Sequence, residues 1–207
     1  MTITPITPNI SGWLQKELSN TELDYIWECI NKKSKFKVNS HLVGDLHASN
    51  SLIDESDWFF DNTISDLIIR HKEEFGNEHD GKTLLSHPYV MNTWWVNYQK
   101  QGEFNPLHNH SGIYSFVIWL KIPYSCEEQN KENESFSKNR GIFQFSCIDI
   151  LGNIRFFKYE LSKDYEGMML FFPSELKHQV YPFFDCDEER ISVSGNIILD
   201  TRYEAIR

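Results

Sequence analysis

Short apolar segments separated by polar turns fill most of the chain from residue 88 onward, and this pattern constrains the fold more than any other feature. The segments are rich in Val, Ile, Phe, Trp and Tyr, which favour the pleated, half-buried surface of a sheet. Strands are predicted near residues 89–99, 112–122, 141–150, 153–161, 167–172, 176–182 and 190–200. This part of the chain is therefore predicted to form a mainly β core.

Two helices are predicted ahead of this core. Ser19 and Glu22 have the spacing of a capping box, and apolar residues follow at helical intervals, so a helix is predicted over residues 21–33. A second apolar stripe predicts a helix over residues 55–75, which ends at Gly76. Because each stripe needs a surface to cover, we expect both helices to pack on the outside of one sheet.

Length and composition favour one domain with no nucleic-acid partner. With 207 residues, 40% of them apolar and 14% aromatic, the chain can bury a substantial core. We expect a single domain over residues 1–207, with a helical flank at 1–87 and a β-barrel core at 88–207. The net charge of −10 argues against a surface that neutralises phosphates.

The sequence favours a cytoplasmic location. The four cysteines contain no C-x-x-C pair, which fits reduced thiols better than a disulfide framework. The first residues, MTITPITPNISGW, lack a basic region followed by a long apolar segment. No apolar run approaches the roughly 20 residues that span a bilayer, so no membrane partner is expected.

Turn residues and polarity predict three connecting segments. Gly152 and Asn153 separate two apolar runs in IDILGNIRF, which predicts a hairpin. Residues 126–140 (CEEQNKENESFSKNR) are almost devoid of apolar side chains and are predicted to be a solvated loop. This loop could be a substrate lid or an inert surface loop. The HASNS segment at residues 47–51 is also predicted to be a loop.

Two histidines one residue apart, in PLHNHSG, are the first sign of a chemical site. On an extended strand residues i and i+2 point to the same face, so His108 and His110 would present two imidazoles side by side. Neighbouring imidazoles can bind a metal ion. Alone the pattern is weak evidence, because histidines on a strand are often only structural.

A third histidine and an arginine follow in later segments. His178 comes after the apolar run GMMLFFP, near the start of a predicted strand, and Arg190 opens the last strand. Arg190 and Ser192 share one face of that strand. A buried arginine needs an anionic partner, so Arg190 is predicted to clamp a carboxylate inside a barrel. The alternative is an ordinary ion pair with Glu188 or Asp187.

Together these residues resemble the Fe(II)- and 2-oxoglutarate-dependent oxygenases, in particular a group found in marine bacteria and their phages and, more distantly, the prolyl-hydroxylase-like enzymes. In YQKQGEFNPLH, Tyr98 and Gly102 precede His108 in the order that prolyl-hydroxylase-like members show. The segments SGIYSFVIWL and GMMLFFP, followed by His178 and Arg190, continue that order. The resemblance covers about half of the chain.

The resemblance implies a double-stranded β-helix, a jelly-roll or cupin-like barrel, and an enzyme that uses Fe(II), 2-oxoglutarate and O2. The implied metal ligands and catalytic residues are His108, His110 and His178. Arg190 would pair with the distal carboxylate of 2-oxoglutarate, and Ser192 and Tyr98 would add hydrogen bonds. The implied reaction hydroxylates a peptide or protein side chain or a small metabolite, with release of succinate and CO2. The implied location is the cytoplasm. For a phage-encoded member it is the cytoplasm of the host.

Position 110 departs from the usual iron motif of the superfamily. Relatives commonly have His-x-Asp or His-x-Glu, whereas this chain has His110, a form that the marine group shares. Imidazole suits iron, but a neutral third ligand leaves the site one unit more positive than a carboxylate would. We therefore expect stronger binding of anionic co-ligands. The occupied corner also argues against a halogenase, in which it is vacated for halide.

Two other functions stay open at the level of the sequence. One is a three-histidine metal dioxygenase of the cupin type that does not use 2-oxoglutarate, with Arg190 binding a carboxylate of the substrate. The other is a non-catalytic barrel that binds a metal or a small ligand. Substrate identity and oligomeric state are also open, with a homodimer as one option.

Several aromatic, polar and histidine residues complete the expectations. The residues assigned to the core or to a pocket wall are Trp94, Trp95, Asn97, Phe171 and Phe172, and those that could line the pocket are Asn105 and Asn196. The histidines without partner spacing, to which no role is assigned, are His41, His47, His71, His79 and His87.

Overall fold

Ten strands form two antiparallel sheets within residues 12–32, 36–76 and 88–200, which the computed structural model describes. The strands are β1 (Leu14–Glu17), β2 (Ala48–Ser51), β3 (Tyr89–Gln99), β4 (Asn105–His108), β5 (Tyr114–Lys121), β6 (Phe143–Ile148), β7 (Ile154–Tyr159), β8 (Met168–Pro173), β9 (Lys177–Val180) and β10 (Arg190–Leu199). The α-helices are α1 (Asn20–Asn31), α2 (Ser65–Phe75) and α3 (Cys126–Lys131).

The order of the strands defines the type of barrel. The larger sheet has the order β1-β8-β5-β10-β3-β2, and the smaller sheet has the order β4-β9-β6-β7. From β3 to β10 the chain passes back and forth between the sheets, so that β8, β5, β10 and β3 lie side by side in the larger one. This is the topology of a double-stranded β-helix, and the predicted fold class is confirmed.

The seven strands predicted for the core are confirmed to within two residues at each end. Their apolar patterns were clear; β5, for example, is buried at seven consecutive positions. The short strands β1, β2 and β4 were not predicted. The loop prediction for HASNS is wrong, because Ala48–Ser51 pairs with Tyr98–Trp95 of β3. These four-residue segments are held by the neighbouring strand rather than by their own propensity.

Helix α1 begins as the capping box predicts. The Ser19 hydroxyl accepts the Glu22 N–H at 3.3 Å, and the Glu22 carboxylate accepts the Ser19 N–H at 2.8 Å. The same carboxylate also accepts hydrogen bonds from Lys16 and Thr63, each at 2.6 Å. Glu22 therefore ties the start of α1 both to β1 and to the segment before α2.

The second predicted helix is confirmed in its C-terminal part and begins later than expected. The Asp54 carboxylate accepts the N–H groups of Phe59 and Phe60 at 2.9 Å each, which caps the helical segment there. A 3-10 turn at Glu55–Asp57 comes first, and a π-helical turn at Phe60–Ile64 leads into α2. Gly76 ends α2, as predicted, with a φ of 73°.

Two apolar clusters hold the fold together, one on each face of the larger sheet. The outer cluster packs helical residues such as Ile26, Phe59 and Ile68 against Val96 and Val193, so the helices cover one sheet as expected. The inner cluster lies between the sheets. Its largest members are Trp119, Tyr124, Phe143, Phe145, Phe172 and Phe183.

The prediction of a solvated loop over residues 126–140 is wrong for its first part. This part forms α3, in which Cys126 and Asn130 are buried. The Asn130 side chain bonds both the C=O and the N–H of Arg140, at 3.0 and 3.2 Å, and so closes the segment on itself. Among the described residues, no helix is long and apolar enough to cross a membrane.

Candidate metal centre and its cavity

Three histidines from two neighbouring strands form one cluster. His108 ends β4 and pairs directly with His178 on β9, and His110 follows two residues after the end of β4. The ring centroids of His108 and His178 are 4.3 Å apart, and the ring of His110 lies 5.0 Å from each. One nitrogen from each ring lies within 4.8 Å of the others. The cluster contains the three residues that the sequence predicts as metal ligands.

His110 reaches the cluster by a different route from the one predicted. Strand alternation cannot position it, because β4 ends at His108. Its N–H instead donates to the Ser174 carbonyl at 2.9 Å, and the Ser174 N–H donates to the Ile113 carbonyl at 3.0 Å. Gly112 has a φ of 111°, and a Cβ there would lie 2.7 Å from the Ile197 carbonyl oxygen. A tight turn that needs glycine therefore holds His110 in place.

Backbone carbonyls set the tautomers of two rings. Nδ1 of His108 lies 2.7 Å from the Pro106 carbonyl oxygen, and Nδ1 of His178 lies 2.9 Å from that of Leu176. A carbonyl can only accept, so each Nδ1 carries the proton and each Nε2 keeps its lone pair for a metal.

Burial keeps the three rings neutral. It lowers the pKa of His178 to about 3, with added repulsion from His108 and His110. Burial and the neighbouring His108 lower the pKa of His110 to about 4, and burial also lowers the pKa of His108. Three neutral imidazoles with available lone pairs at pH 7 form a donor set that suits Fe(II).

A cavity of about 660 Å³ joins the histidine cluster to the predicted carboxylate clamp. Arg190 and Ser192 line this cavity together with the three histidines. Asn105 and Asn196, which the sequence suggests for the pocket, line it too. The volume lies within the range of roughly 300–1,000 Å³ that is usual for small-molecule sites.

Arg190 is buried, with 2% of its surface exposed, and each hydrogen bond that its guanidinium makes within the described residues goes to a neutral group. It donates to the Tyr124 hydroxyl, to the Gln99 side-chain oxygen and, at 3.4 Å, to the Gly141 carbonyl. Within the described ranges, no carboxylate lies at ion-pair distance from it. A buried cation without a counter-ion is costly, which favours an anionic ligand in the cavity.

The alternative partners proposed for Arg190 are occupied elsewhere. Glu188 pairs with Lys121 at 2.7 Å, and Asp187 accepts a hydrogen bond from Gln101 at 3.0 Å. The contacts of the described residues therefore do not support the alternative of an ordinary ion pair at the turn. Arg190 is the first residue of β10, and its side chain points inward. The turn residues before it do not enter the interior.

Sequence reasoning missed Gln99 and Tyr124, the two side chains that hold Arg190. Gln99 lies directly opposite Arg190 in the ladder between β3 and β10. The sequence feature that could have indicated Gln99 is strand alternation. It places Gln99 on the same face of β3 as Trp95 and Asn97. Tyr124 follows β5, and no local pattern predicts its position. Burial raises the pKa of Tyr124 to about 12, so it stays a neutral phenol beside Arg190.

The prediction that Tyr98 contacts the co-substrate is not supported by its position. Tyr98 lies opposite Ile191, on the face of β3 that packs against the outer cluster, and it does not line the cavity. Alternation explains this, because its neighbours Asn97 and Gln99 face inward. Phe171 likewise belongs to the outer cluster, whereas Phe172 lines the cavity.

Of the remaining histidines, the two whose side chains the structure describes, His47 and His71, lie outside the cluster. His47 contacts the Glu103 and Glu189 carboxylates at 3.1 and 2.9 Å. His71 is buried on α2 against Phe75 and Tyr114. His79, His87 and the side chain of His41 lie outside the described residues.

Fold and cavity together define the class of protein: a double-stranded β-helix that carries a three-imidazole cluster suited to iron. A family model described as "Putative 2OG-Fe(II) oxygenase" matches residues 93–196, half of the chain. The chain belongs to this family, and it is an oxygenase that uses Fe(II), 2-oxoglutarate and O2. Membership decides against the cupin-type dioxygenase and the non-catalytic barrel.

Solved structures of other oxygenases share the fold. A prolyl-4-hydroxylase from Pseudomonas putida is 15% identical, with a TM-score of 0.53 over 89% of this chain and 91% of that one. A prolyl hydroxylase from Trichoplax adhaerens, solved with a peptide fragment of hypoxia inducible factor, is 11% identical, with a TM-score of 0.54 and coverages of 92% and 84%. SnoK, a carbocyclase from nogalamycin biosynthesis, is 9% identical, with a TM-score of 0.54 and coverages of 92% and 80%. No curated protein matched the chain.

Proposed function

We propose that this oxygenase hydroxylates a carbon of a peptide or protein side chain or of a small metabolite, with release of succinate and CO2. In this proposal His108, His110 and His178 hold Fe(II). Arg190, supported by Tyr124 and with Ser192 beside it, binds the distal carboxylate of 2-oxoglutarate. The carrying observation is the buried guanidinium, which among the described residues bonds to neutral groups alone, in the same cavity as three neutral imidazoles.

The charge of the site favours a dianionic co-substrate. All three proposed ligands are neutral, so none of them would offset the charge of a bound divalent ion. The buried Arg190 adds another positive charge in the same cavity. 2-Oxoglutarate has two carboxylates, and binding it would place one beside the metal ion and one beside Arg190.

Fe(II), when bound, supplies the redox chemistry that couples O2 and 2-oxoglutarate to oxidation of a substrate carbon. The protein orients the metal ligands and shields the reacting groups from water. The Pro106 and Leu176 carbonyls orient two ligand rings, and the turn at Gly112 holds the third. Trp119, Phe143 and Phe172 form apolar walls that exclude water from the reacting groups.

The cavity leaves room for a substrate group beside the co-substrate. Besides its apolar walls, the cavity is lined by neutral polar side chains, among them Asn92, Asn105 and Asn109. Amide side chains hydrogen-bond well to peptide groups and to hydroxyls. The prolyl hydroxylase from Trichoplax adhaerens was solved with a peptide, and SnoK acts in nogalamycin biosynthesis, so both substrate classes are reasonable here.

Anaerobic titration tests the site assignment. Fe(II) followed by 2-oxoglutarate should produce a metal-to-ligand charge-transfer absorption, and admission of O2 should release succinate. His178→Ala should abolish the absorption through loss of iron, whereas Tyr98→Phe should retain it. An unchanged absorption in His178→Ala would remove this residue from the ligand set. Absence of the charge-transfer absorption in the wild type would contradict the site assignment.

A further inference from the structure

His47 lies between two carboxylates that come from distant parts of the chain. Its Nδ1 is 3.1 Å from Oε2 of Glu103, and its Nε2 is 2.9 Å from Oε1 of Glu189. An imidazole donates from both ring nitrogens only when it is protonated, so this geometry fits the charged form of the ring. These three residues, here called the His47 bridge, join three separate segments of the chain through one side chain.

Glu103 connects the His47 bridge to the end of β3. Its carboxylate accepts the main-chain N–H groups of His47 at 3.0 Å and of Lys100 at 2.9 Å, which holds the turn that follows the strand. The main-chain carbonyl of Glu103 accepts a hydrogen bond from Nε2 of the buried Gln99 at 2.6 Å. The position of Glu103 therefore sets the position of the Gln99 amide.

Gln99 in turn holds the guanidinium of Arg190. Its side-chain oxygen accepts from Arg190, while its nitrogen donates to the carbonyl of Glu103. Because a guanidinium only donates and a carbonyl only accepts, a single orientation of the amide satisfies both partners. Glu189, at the other end of the His47 bridge, directly precedes Arg190 in the chain. The contacts thus form a closed ring around the start of β10.

The His47 bridge also anchors one wall of the cavity. The segment of residues 38–46 ends next to His47, and Leu42 and Leu46 are among the side chains that it contributes to the cavity lining. The bond between the main-chain N–H of His47 and Glu103 ties the end of this segment to the turn after β3. A change at His47 therefore acts on the cavity wall as well as on Gln99.

We propose that His47 and Glu103 are positioning residues of the co-substrate site, and that protonated His47 keeps Gln99 and Arg190 in the arrangement that binds 2-oxoglutarate. This inference rests on the proposed role of Arg190. A neutral ring can donate to only one of the two carboxylates, so loss of the proton removes one contact of the His47 bridge. It also makes the surroundings of the guanidinium one unit more negative, which disfavours an anionic ligand. Both effects weaken the binding of 2-oxoglutarate as the pH rises.

His47 is the group in these surroundings whose charge changes near neutral pH. The titratable groups around it are Glu103 from the turn after β3, Glu189 from the segment before β10, Tyr98 of β3 beside Glu189, and Asp45 on its own segment. Burial and the nearby Glu189 raise the pKa of Tyr98, so its phenol stays neutral. Carboxylates ordinarily titrate near about pH 4, whereas histidine changes its charge between roughly pH 5 and pH 8.

Anaerobic charge-transfer titrations of the Fe(II)-loaded full chain with 2-oxoglutarate, at about pH 6 and about pH 8, test the proposal. The Kd of the wild type should rise about fivefold between the two, on the scale of a partly exposed ion pair. His47→Gln should give one Kd at both pH values, close to that of the wild type at the higher pH, because glutamine takes up no proton. Lys121→Gln is the matched control, since it removes a positive charge from the exposed ion pair with Glu188. It should behave like the wild type.

Three outcomes would overturn the proposal. A wild-type Kd that is the same at both pH values would do so without any variant. A pH dependence that persists in His47→Gln would assign it to another group, and an equal loss in Lys121→Gln would make it an effect of overall charge. Arg190→Met separates this proposal from the proposed function: if it raises the Kd while His47→Gln does not, only the His47 bridge is refuted. Circular dichroism checks that each variant is folded.

Discussion

The two faces of the larger sheet come from the same strands yet differ in chemistry. On β3 and β10, Val96 and Val193 pack outward beneath the helices, whereas Asn97, Gln99 and Arg190 line the cavity. The outer face is apolar and closed, so its burial contributes stability. Besides its own apolar cluster, the inner face buries a cation and neutral polar groups around the cavity, which costs stability. Because side chains alternate along each strand, one face of the sheet can stabilise the fold while the other lines the ligand cavity.

Truncation on the outer face should have the largest effect, and it should affect stability alone. Phe59 is fully buried and stacks on Trp94 with ring centroids 5.4 Å apart. Phe59→Ala should lower the free energy of unfolding by about 3–5 kcal/mol, measured by urea denaturation. The control Phe136→Ala, at a fully exposed position, should change it by less than about 0.5 kcal/mol. A weaker affinity of folded Phe59→Ala for 2-oxoglutarate would break the comparison.

A change on the inner face should give the opposite result. Arg190→Met removes the buried charge but keeps much of the side-chain volume. The Kd for 2-oxoglutarate should rise roughly 100-fold, about 2.8 kcal/mol, in a charge-transfer titration, while iron binding is kept. The free energy of unfolding of the metal-free protein should stay the same or rise, because a buried unpaired charge is lost. An equal loss of iron and 2-oxoglutarate binding would make Arg190 a structural residue.

Acid should weaken the helical layer through Glu22. Burial alone would raise its pKa, but hydrogen bonds from Lys16, Thr63 and Ser19 outweigh it and lower the pKa to about 2. The unfolded chain, with an ordinary value of 4.5, binds a proton first as the pH falls. This stabilisation is therefore complete above pH 4.5 and is lost progressively towards pH 2.

Glu22→Gln tests this linkage. The variant should lose about 2 kcal/mol at pH 7, since hydrogen bonds to a charged group are replaced by weaker ones. Its free energy of unfolding should also depend less on pH than that of the wild type between pH 4.5 and 2, as measured by urea denaturation at each pH. An unchanged pH dependence would mean that another carboxylate controls acid stability.

The smallest effect is expected at Tyr98, which sharpens the distinction between the faces. Tyr98→Phe changes a hydroxyl on the outer face, so the Kd for 2-oxoglutarate should change by less than about twofold. The same titration as for Arg190→Met measures it. A rise of tenfold or more would return Tyr98 to the co-substrate site.

Much of the fold was predictable because its signals are local. The capping box of Ser19 and Glu22, the stop at Gly76 and the apolar runs of the core strands depend on a few neighbouring residues each. The short strand β2 and the buried start of α3 were missed for the converse reason. Ala48–Ser51 is polar and forms a strand by pairing with β3, and the buried Asn130 side chain bonds to Arg140, which lies ten residues further along the chain.

The sequence by itself determined the order of the three histidines and of the arginine that opens the last strand, and its resemblance to a family predicted the barrel that carries them. The tertiary structure decided which side chains contact these residues. Strand alternation groups residues by face, but it does not say which face is inside, so Tyr98 was placed in the cavity and Gln99 was missed. The Ser174 carbonyl, not a strand, holds His110, and Tyr124 reaches Arg190 across 66 residues of chain. Such contacts depend on register and packing between distant segments, which no local pattern encodes.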